Sequence, residues 1–136
     1  IGVSIRENLG TSDYINVDKI LIENQISPIA NRMKTVQGML AQFFIMKGVE
    51  DIVFVSAANK LKLFMGKEKT TYSERKKIGI EITKNILNAD KNITGVEKIS
   101  NSNKKDDLAD CFLQGIWYVL ENNLAETEYK NVGSEI

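Results

Sequence analysis

The chain has 136 residues, 43% of them hydrophobic, and its 18 Lys and Arg residues balance 18 Asp and Glu residues. This length and composition fit one ordinary globular domain, and no apolar run approaches the roughly 18 residues that suggest a membrane-spanning helix. With no His and a single Cys, Ser-His and Cys-His nucleophilic sites and cysteine-cluster metal sites are excluded, so any chemistry falls to carboxylates, lysines, hydroxyls or a metal ion held by carboxylates.

The N-terminal segment predicts a short helix, because residues 3–14 show weak helical spacing and Gly10 stands near its end. The first residues lack the basic-then-apolar layout of a signal peptide, and the chain does not begin with Met. We therefore expect a soluble, intracellular protein whose chain begins inside a longer gene product.

A strand, a helix and a second strand are predicted between residues 17 and 56. Residues 17–24 form an apolar, β-branched run of strand length that contains an acid near its end. Residues 33–46 carry apolar side chains at helical intervals up to Gly48, a normal helix stop, and residues 51–56 form a second short apolar run. Such an order predicts a right-handed βαβ unit with parallel strands.

Residues 60–77 form a basic segment inside a chain of zero net charge. Seven basic residues in this segment face only Glu68 and Glu74. The seven are Lys60, Lys62, Lys67, Lys69, Arg75, Lys76 and Lys77. This concentration of positive charge predicts contact with phosphates, although a lysine pair such as Lys76 and Lys77 also suits a solvated first helical turn.

The second half of the chain predicts two helices. Residues 57–72 show little periodicity and predict a mobile loop, after which Ser73 is expected to cap a helix that continues to Leu87. Residues 88–103 are polar and predict turns. An apolar stripe predicts a last helix over 105–124, with Cys111 packed as a small core residue.

Three carboxylates stand at the ends of otherwise apolar elements. Glu23 ends the first predicted strand, where the strands of α/β proteins present their chemistry. Asp107 and Asp110 are three residues apart and project from one face of the last helix. If the three converge, their hard oxygen atoms favour Mg²⁺ or Mn²⁺. The ordinary alternatives are that the aspartates complement the helix dipole and that Glu23 lies solvated just past its strand.

Three ordered motifs resemble one known family. They are ILIENQ at 20–25, YSERKK at 72–77 with Glu81 following, and KKDDLADCF at 104–112, and NRMKTVQ at 31–37 also fits. The set is similar to the Holliday junction resolvases of poxviruses and other large DNA viruses, relatives of bacterial RuvC. The resemblance covers the chain from about residue 17 to residue 120.

The resemblance implies an α/β fold of the RNase H-like (RuvC-type) three-layer class, here partial, with a parallel βαβ unit and flanking helices in a single domain over 1–136. The family's first strand carries an acid, and nothing at the start of this chain matches that strand. We therefore expect an N-terminally truncated domain and, because one metal ligand is missing, no cleavage of four-way junctions by this chain alone.

The function that the resemblance implies is Mg²⁺-dependent (or Mn²⁺-dependent) resolution of four-way DNA junctions by two-metal phosphodiester hydrolysis. Glu23, Asp107 and Asp110 would be the metal ligands, Asp106 lies one residue off their shared face, and Lys76 or Lys77 would lie near the scissile phosphate. The same resemblance implies a homodimer that acts inside the cell and, if the source is a virus, where viral DNA is replicated. The alternatives are another RNase H-like nuclease and a non-catalytic RNase H-like nucleic-acid-binding or scaffold domain.

Overall fold

The structure is a computed structural model that describes residues 1–10, 16–26, 30–65 and 70–125. In chain order the described elements are α1 (Gly2–Leu9), β1 (Ile20–Glu23), α2 (Asn31–Met46), β2 (Ile52–Val55), a 3₁₀ helix (Ala57–Asn59), α3 (Tyr72–Ala89), α4 (Ile93–Asn101) and α5 (Lys105–Glu121). They fall into two compact units, residues 1–57 and residues 58–136. The single RNase H-like domain therefore stays a prediction.

The first unit contains the predicted βαβ arrangement. The strands β1 and β2 pair in parallel, with Ile20 opposite Ile52 and Glu23 opposite Val55. The helix α2 connects them and ends before Gly48, whose φ of +90° lies in the left-handed region that favours glycine. The predicted parallel pairing is confirmed. The strand β1 is shorter than the predicted run over 17–24 and pairs with β2 over four residues.

The buried apolar side chains of the first unit come from both strands, from α2 and from the segment between α2 and β2. They are Ile22, Ala41, Phe44, Val49 and Val55. Each strand is too short to hold a sheet on its own, since a two-stranded sheet is marginal without a packed face. Packing of α2 over the strands therefore gives this unit its stability.

The second unit is built on the packing of α3 against α5. Its central cluster consists of Phe64, Ile82, Ile86 and Leu113. The spacing of four that predicted α3 is the spacing that places Ile82 and Ile86 on one buried face. Phe64 is only 6% exposed, so the predicted mobile loop over 57–72 is wrong for residues 57–65. The apolar side chains of that turn are drawn onto the helix pair.

The helix α4 corrects the prediction of turns over 88–103. Asn92 accepts a hydrogen bond from the backbone N–H of Gly95 at 2.9 Å and so caps this helix. Ile93, Val96 and Ile99 then recur every three residues, and Ile99 is buried. In the sequence, the polar residues between these three side chains concealed the helical pattern. Ile99 is the buried residue of this short helix.

The position of Cys111 is a second correction. Its side chain is exposed, whereas Ala109 and Leu113 on the same helix are buried. Two residues turn an α-helix by about 200°, so Cys111 faces away from Leu113. The apolar stripe of α5 is narrower than the sequence predicted, and the helix ends at Glu121 rather than at residue 124.

Two further observations complete the description. The helix α1 ends at Leu9, and residues 11–14 of the helix predicted over 3–14 lie outside the described part. None of the described helices combines the length and the apolar composition needed to cross a bilayer.

Candidate functional site

The start of α3 is fixed by hydrogen bonds that its own sequence supplies. Thr71 is the N-cap residue: its Oγ1 accepts from the backbone N–H of Glu74 at 3.3 Å, and its own N–H donates to Glu74 Oε2 at 2.7 Å. The bond from the Thr71 N–H to the Glu74 carboxylate is the largest cause that holds the pKa of Glu74 below its ordinary value, and the Thr71 hydroxyl, which donates to Glu74 Oε2 at 2.8 Å, adds to it. The predicted cap, Ser73, is wrong, because only Thr71 has a glutamate three residues later.

Lys76, one turn into α3, forms an ion pair with Asp106 of α5. The Nζ of Lys76 also lies 4.9 Å from the centre of the Tyr72 ring, a cation–π distance. The hydrogen bond to Asp106 is the largest cause that raises the pKa of Lys76 above its usual value, and the same bond lowers the pKa of Asp106. Lys76 is therefore a permanent cation at neutral pH and not a proton acceptor.

Asp110, one turn further along α5, forms an ion pair with Lys60. The two side chains are 32% and 21% exposed, so this pair is partly withdrawn from water. Asp110 lies beside the buried Ala109, which explains its position at the edge of the core.

Asp107 projects into solvent. Its side chain is 67% exposed, and Lys104 Nζ lies 3.6 Å from its Oδ2. Such an exposed pair contributes little to stability. Asp107 and Asp110 both lie in the first two turns of α5. Asp106 and Asp110 are paired with lysines that lie at least 30 residues earlier in the chain.

Glu23 lies in the other unit, as the last residue of β1. It is half-buried, and Gln25 Nε2 donates to its Oε1 at 3.3 Å. The Gln25 backbone N–H donates to Gln37 Oε1 at 2.9 Å, which ties the chain after the strand to α2. The strand end is therefore where the sequence placed this carboxylate, and its role as a metal ligand with Asp107 and Asp110 stays a prediction.

The basic segment is less uniform than its composition indicated. Lys60 and Lys76 are engaged by aspartates, Lys62 and Lys77 are exposed, and Arg75 Nε donates to Thr70 Oγ1 at 3.0 Å. Lys67 and Lys69 lie outside the described residues. A count of charges along the chain cannot show which lysines find an intramolecular partner.

A solvent-open cleft of about 430 Å³ lies between the start of α3 and the junction of α4 with α5. It is lined by Ser73, Lys76, Lys77, Ile80, Ser102, Asn103, Lys105 and Asp106. Within the described part of the chain, neither Lys77 nor Lys105 is held in an ion pair. Cations, two hydroxyls and an amide around an open cleft suit a phosphate group.

Lys105 is the residue of this cleft that the sequence analysis did not include among the phosphate contacts. Its signal was present in the pair Lys104-Lys105, directly before the acids of α5. This lysine pair did not by itself indicate a phosphate contact, because Lys105 is about 30 residues from the basic segment in the sequence. The packing of α3 against α5 brings Lys105 to the same cleft as Lys77. Within each unit, the described residues show no group of three or more acids or Cys arranged as metal ligands.

Comparison with known proteins gives a family match and a similar viral protein. The sequence matches the family model described as Poxvirus A22 protein over residues 4–122. It is also similar to Uncharacterized protein L451 of Acanthamoeba polyphaga mimivirus, with 29% identity over 124 residues, covering 77% of this chain and 29% of that protein. The chain thus spans less than a third of the curated relative's length. No solved structure matches it significantly, and the RNase H-like fold remains a prediction.

Proposed function

Because the chain belongs to the Poxvirus A22 protein family, the Holliday junction resolvase family of poxviruses, we propose that the full protein is a divalent-metal-dependent endonuclease that cuts four-way DNA junctions. The observation that carries the proposal is the family match over residues 4–122. That range contains the strand-end acid Glu23, the lysine-rich start of α3 and the acids of α5.

We propose that the cleft between α3 and α5 binds the DNA backbone. Lys77 and Lys105 can each reach a phosphate without breaking an intramolecular ion pair, whereas Lys76 is shared with Asp106. Phosphate contacts give orientation and affinity without reading bases, which suits an enzyme that selects branched DNA by shape. Symmetrical cuts across a junction require two sites related by a two-fold axis, so we propose a homodimer.

The donor chemistry of α5 fits a divalent ion. Asp107 and Asp110 offer carboxylate oxygens from adjacent turns of one helix, and such hard donors suit Mg²⁺ or Mn²⁺. Glu23 is the third ligand that we propose. When bound, an ion of this kind lowers the pKa of its water ligand and stabilises the departing oxygen of the phosphodiester.

The remaining chemistry belongs to side chains of this protein. Lys76 keeps its proton at neutral pH, so it offers positive charge beside the cleft and takes no part as a general base. The capping hydrogen bonds of Thr71 and Glu74 fix the helical turn that carries Lys76 and Lys77. The protein would act inside the host cell, where viral DNA is replicated.

A non-catalytic DNA-binding or scaffold domain of the same fold is the second candidate. The observation that favours it is the pairing of both partly buried acids of α5, Asp106 and Asp110, with lysines. Because lysines neutralise these two carboxylates, the fold does not need a metal ion to offset their charge. The two candidates differ in cleavage and agree in DNA binding.

The test is cleavage of a labelled four-way junction by the full protein in Mg²⁺ or Mn²⁺. Asp110→Asn and Glu23→Gln should abolish cleavage and leave junction binding largely intact, because each change removes a ligand charge at nearly constant shape. Glu97→Gln on the exposed surface of α4 is the matched control. Cleavage by either site variant at near wild-type rate contradicts the ligand assignment, and binding without cleavage by wild type favours the scaffold.

A further inference from the structure

The proposed metal ligand Asp110 already has a cation as its partner. Its Oδ2 accepts from the Nζ of Lys60, a residue 50 positions earlier in the chain. Both side chains are largely shielded, at 32% and 21% exposure. The Lys104–Asp107 pair on the same helix is 3.6 Å long and open to solvent. Of the two proposed α5 ligands, Asp110 is therefore in a shielded ion pair and Asp107 is in an exposed one.

The position of Lys60 is set by folded structure on its C-terminal side. The Lys62 N–H donates to the Asn59 carbonyl at 3.0 Å, and the Phe64 N–H donates to the Leu61 carbonyl at 3.1 Å. Phe64 is buried in the core cluster with Leu113 of α5. The turn that carries Lys60 is thus anchored to the helix that carries Asp110, and this geometry keeps the ammonium near the carboxylate.

We propose that Lys60 is an internal counter-ion that competes with the divalent ion for Asp110. This inference rests on the proposed function, in which Asp110 is a metal ligand. An ammonium and a metal ion draw on the same carboxylate oxygens, so each weakens the binding of the other. Lys60 balances the partly buried charge of Asp110 when no ion is bound, and binding of the ion releases the Lys60 ammonium.

The competition is of a size that solution experiments resolve. Ion pairs of this partial exposure contribute up to about 1 kcal/mol, so loss of Lys60 should tighten ion binding by roughly three- to fivefold. A bound ion should also expose the Lys60 amine to reagents, because the amine loses its partner. The Lys76–Asp106 pair serves as an internal reference, since Asp106 is not a proposed ligand.

The first experiment measures Mn²⁺ binding to the full protein without DNA by calorimetry and by electron paramagnetic resonance. Lys60→Met should tighten the Kd for Mn²⁺ by roughly three- to fivefold, and Lys60→Arg should leave it close to wild type because the charge is kept. Lys98→Met, an exposed lysine of α4, is the matched control for a lost positive charge. Equal tightening by Lys98→Met would reduce the effect to net charge and overturn the proposal.

The second experiment uses wild-type protein and so does not depend on how a variant folds. Amine acylation followed by mass spectrometry should show that Mn²⁺ increases the reactivity of Lys60 and leaves that of Lys98 unchanged. In Asp110→Asn, Lys60 should be reactive with or without Mn²⁺. Saturable Mn²⁺ binding with no change at Lys60 overturns the counter-ion and leaves the metal site standing. Absence of Mn²⁺ binding from every protein overturns the metal site itself.

Discussion

At the residue scale, two residues with hydroxyl side chains, Thr71 and Ser73, are candidates for the N-cap of α3. Thr71 and Ser73 both precede the helical apolar spacing, and both are good capping residues. Only Thr71 has a glutamate at the third position, and the reciprocal bonds between Thr71 and Glu74 satisfy two backbone donors instead of one. The partner of a capping residue therefore decides where this helix begins.

We predict that Thr71→Ala lowers the free energy of unfolding by about 1 kcal/mol, since it removes one half of the capping box. Ser73→Ala, two residues later, should change it by less than about half that amount because Ser73 makes no capping bond. Chemical denaturation of both variants is the measurement. A larger loss for Ser73→Ala would return the cap to the residue that the sequence predicted.

The ion pair of Lys76 and Asp106 gives a second residue-scale prediction, through pH. The folded-state pKa of Asp106 is lowered, so its contribution is fully present above the ordinary carboxyl pKa of 3.8 and is lost as pH falls through the folded value. Asp106→Asn should therefore be less stable than wild type at neutral pH, and the difference should vanish in strong acid.

The measurement for this pair is the free energy of unfolding of wild type and Asp106→Asn across the acid range. The pKa of Lys76 is raised, so its contribution is fully present below 10.5 and does not change between weak acid and neutral pH. The acid change therefore reports on the carboxylate alone. A stability difference that stays constant down to the lowest pH would show that the pair is not formed in solution.

At the element scale, the close packing of α3 against α5 involves a glycine. Gly79 is buried inside α3, and a Cβ built on it would lie 3.6 Å from Leu113 Cδ1, an ordinary van der Waals distance. Thr83 Oγ1 donates to the Gly79 carbonyl at 2.8 Å one turn later. Nothing in this geometry requires glycine, so the residue costs the helix backbone entropy without a packing return.

We predict that Gly79→Ala raises the free energy of unfolding by about 0.5–1 kcal/mol, because alanine has the higher helix propensity and its methyl group fits against Leu113. Gly95→Ala in α4 is the control. Its Cβ would lie 3.1 Å from Asn92 Oδ1 and from Leu87 Cδ2, so crowding of the capping residue should cancel the gain. Thermal unfolding of the two variants is the measurement. Destabilisation by Gly79→Ala would mean that α3 packs too closely on α5 to accept a methyl group at this position.

At the scale of the whole molecule, charge is arranged by pairing as well as by composition. The chain is neutral and the segment 60–77 is basic, yet Lys60 and Lys76 are matched by aspartates of α5. Lys105 of α5 joins Lys77 at the cleft between α3 and α5. The cations that are not engaged in ion pairs therefore differ from the set that the linear sequence presents.

We predict that Lys77→Ala and Lys105→Ala each flatten the dependence of junction affinity on salt by about one unit of log Kd per unit of log salt, because each removes one phosphate contact. Lys98→Ala, exposed on α4, is the control and should leave the slope unchanged. Binding titrations of the full protein in Ca²⁺ over a range of salt concentrations measure it. An unchanged slope for Lys105→Ala would remove the cleft from the DNA interface.

Local sequence patterns determined several parts of this protein. The β-branched run before Glu23, the helical spacing of α2 and the run after it were sufficient for the parallel βαβ unit, because side-chain periodicity follows directly from backbone geometry. The acids of α5 were placed on one helix for the same reason. The ordered motifs were also sufficient for the family, since residue types at fixed spacing carry chemistry that composition does not.

Tertiary structure decided what depends on contacts between distant residues. Phe64 is buried and Cys111 is exposed because the packing of α3 on α5 selects which apolar side chains leave water. Lys60 meets Asp110 across 50 residues and Lys76 meets Asp106 across 30, distances at which no periodicity carries information. Ion pairs depend on which side chains are close in the folded protein. The sequence therefore determined which charged residues are present, and the tertiary structure determined which of them pair.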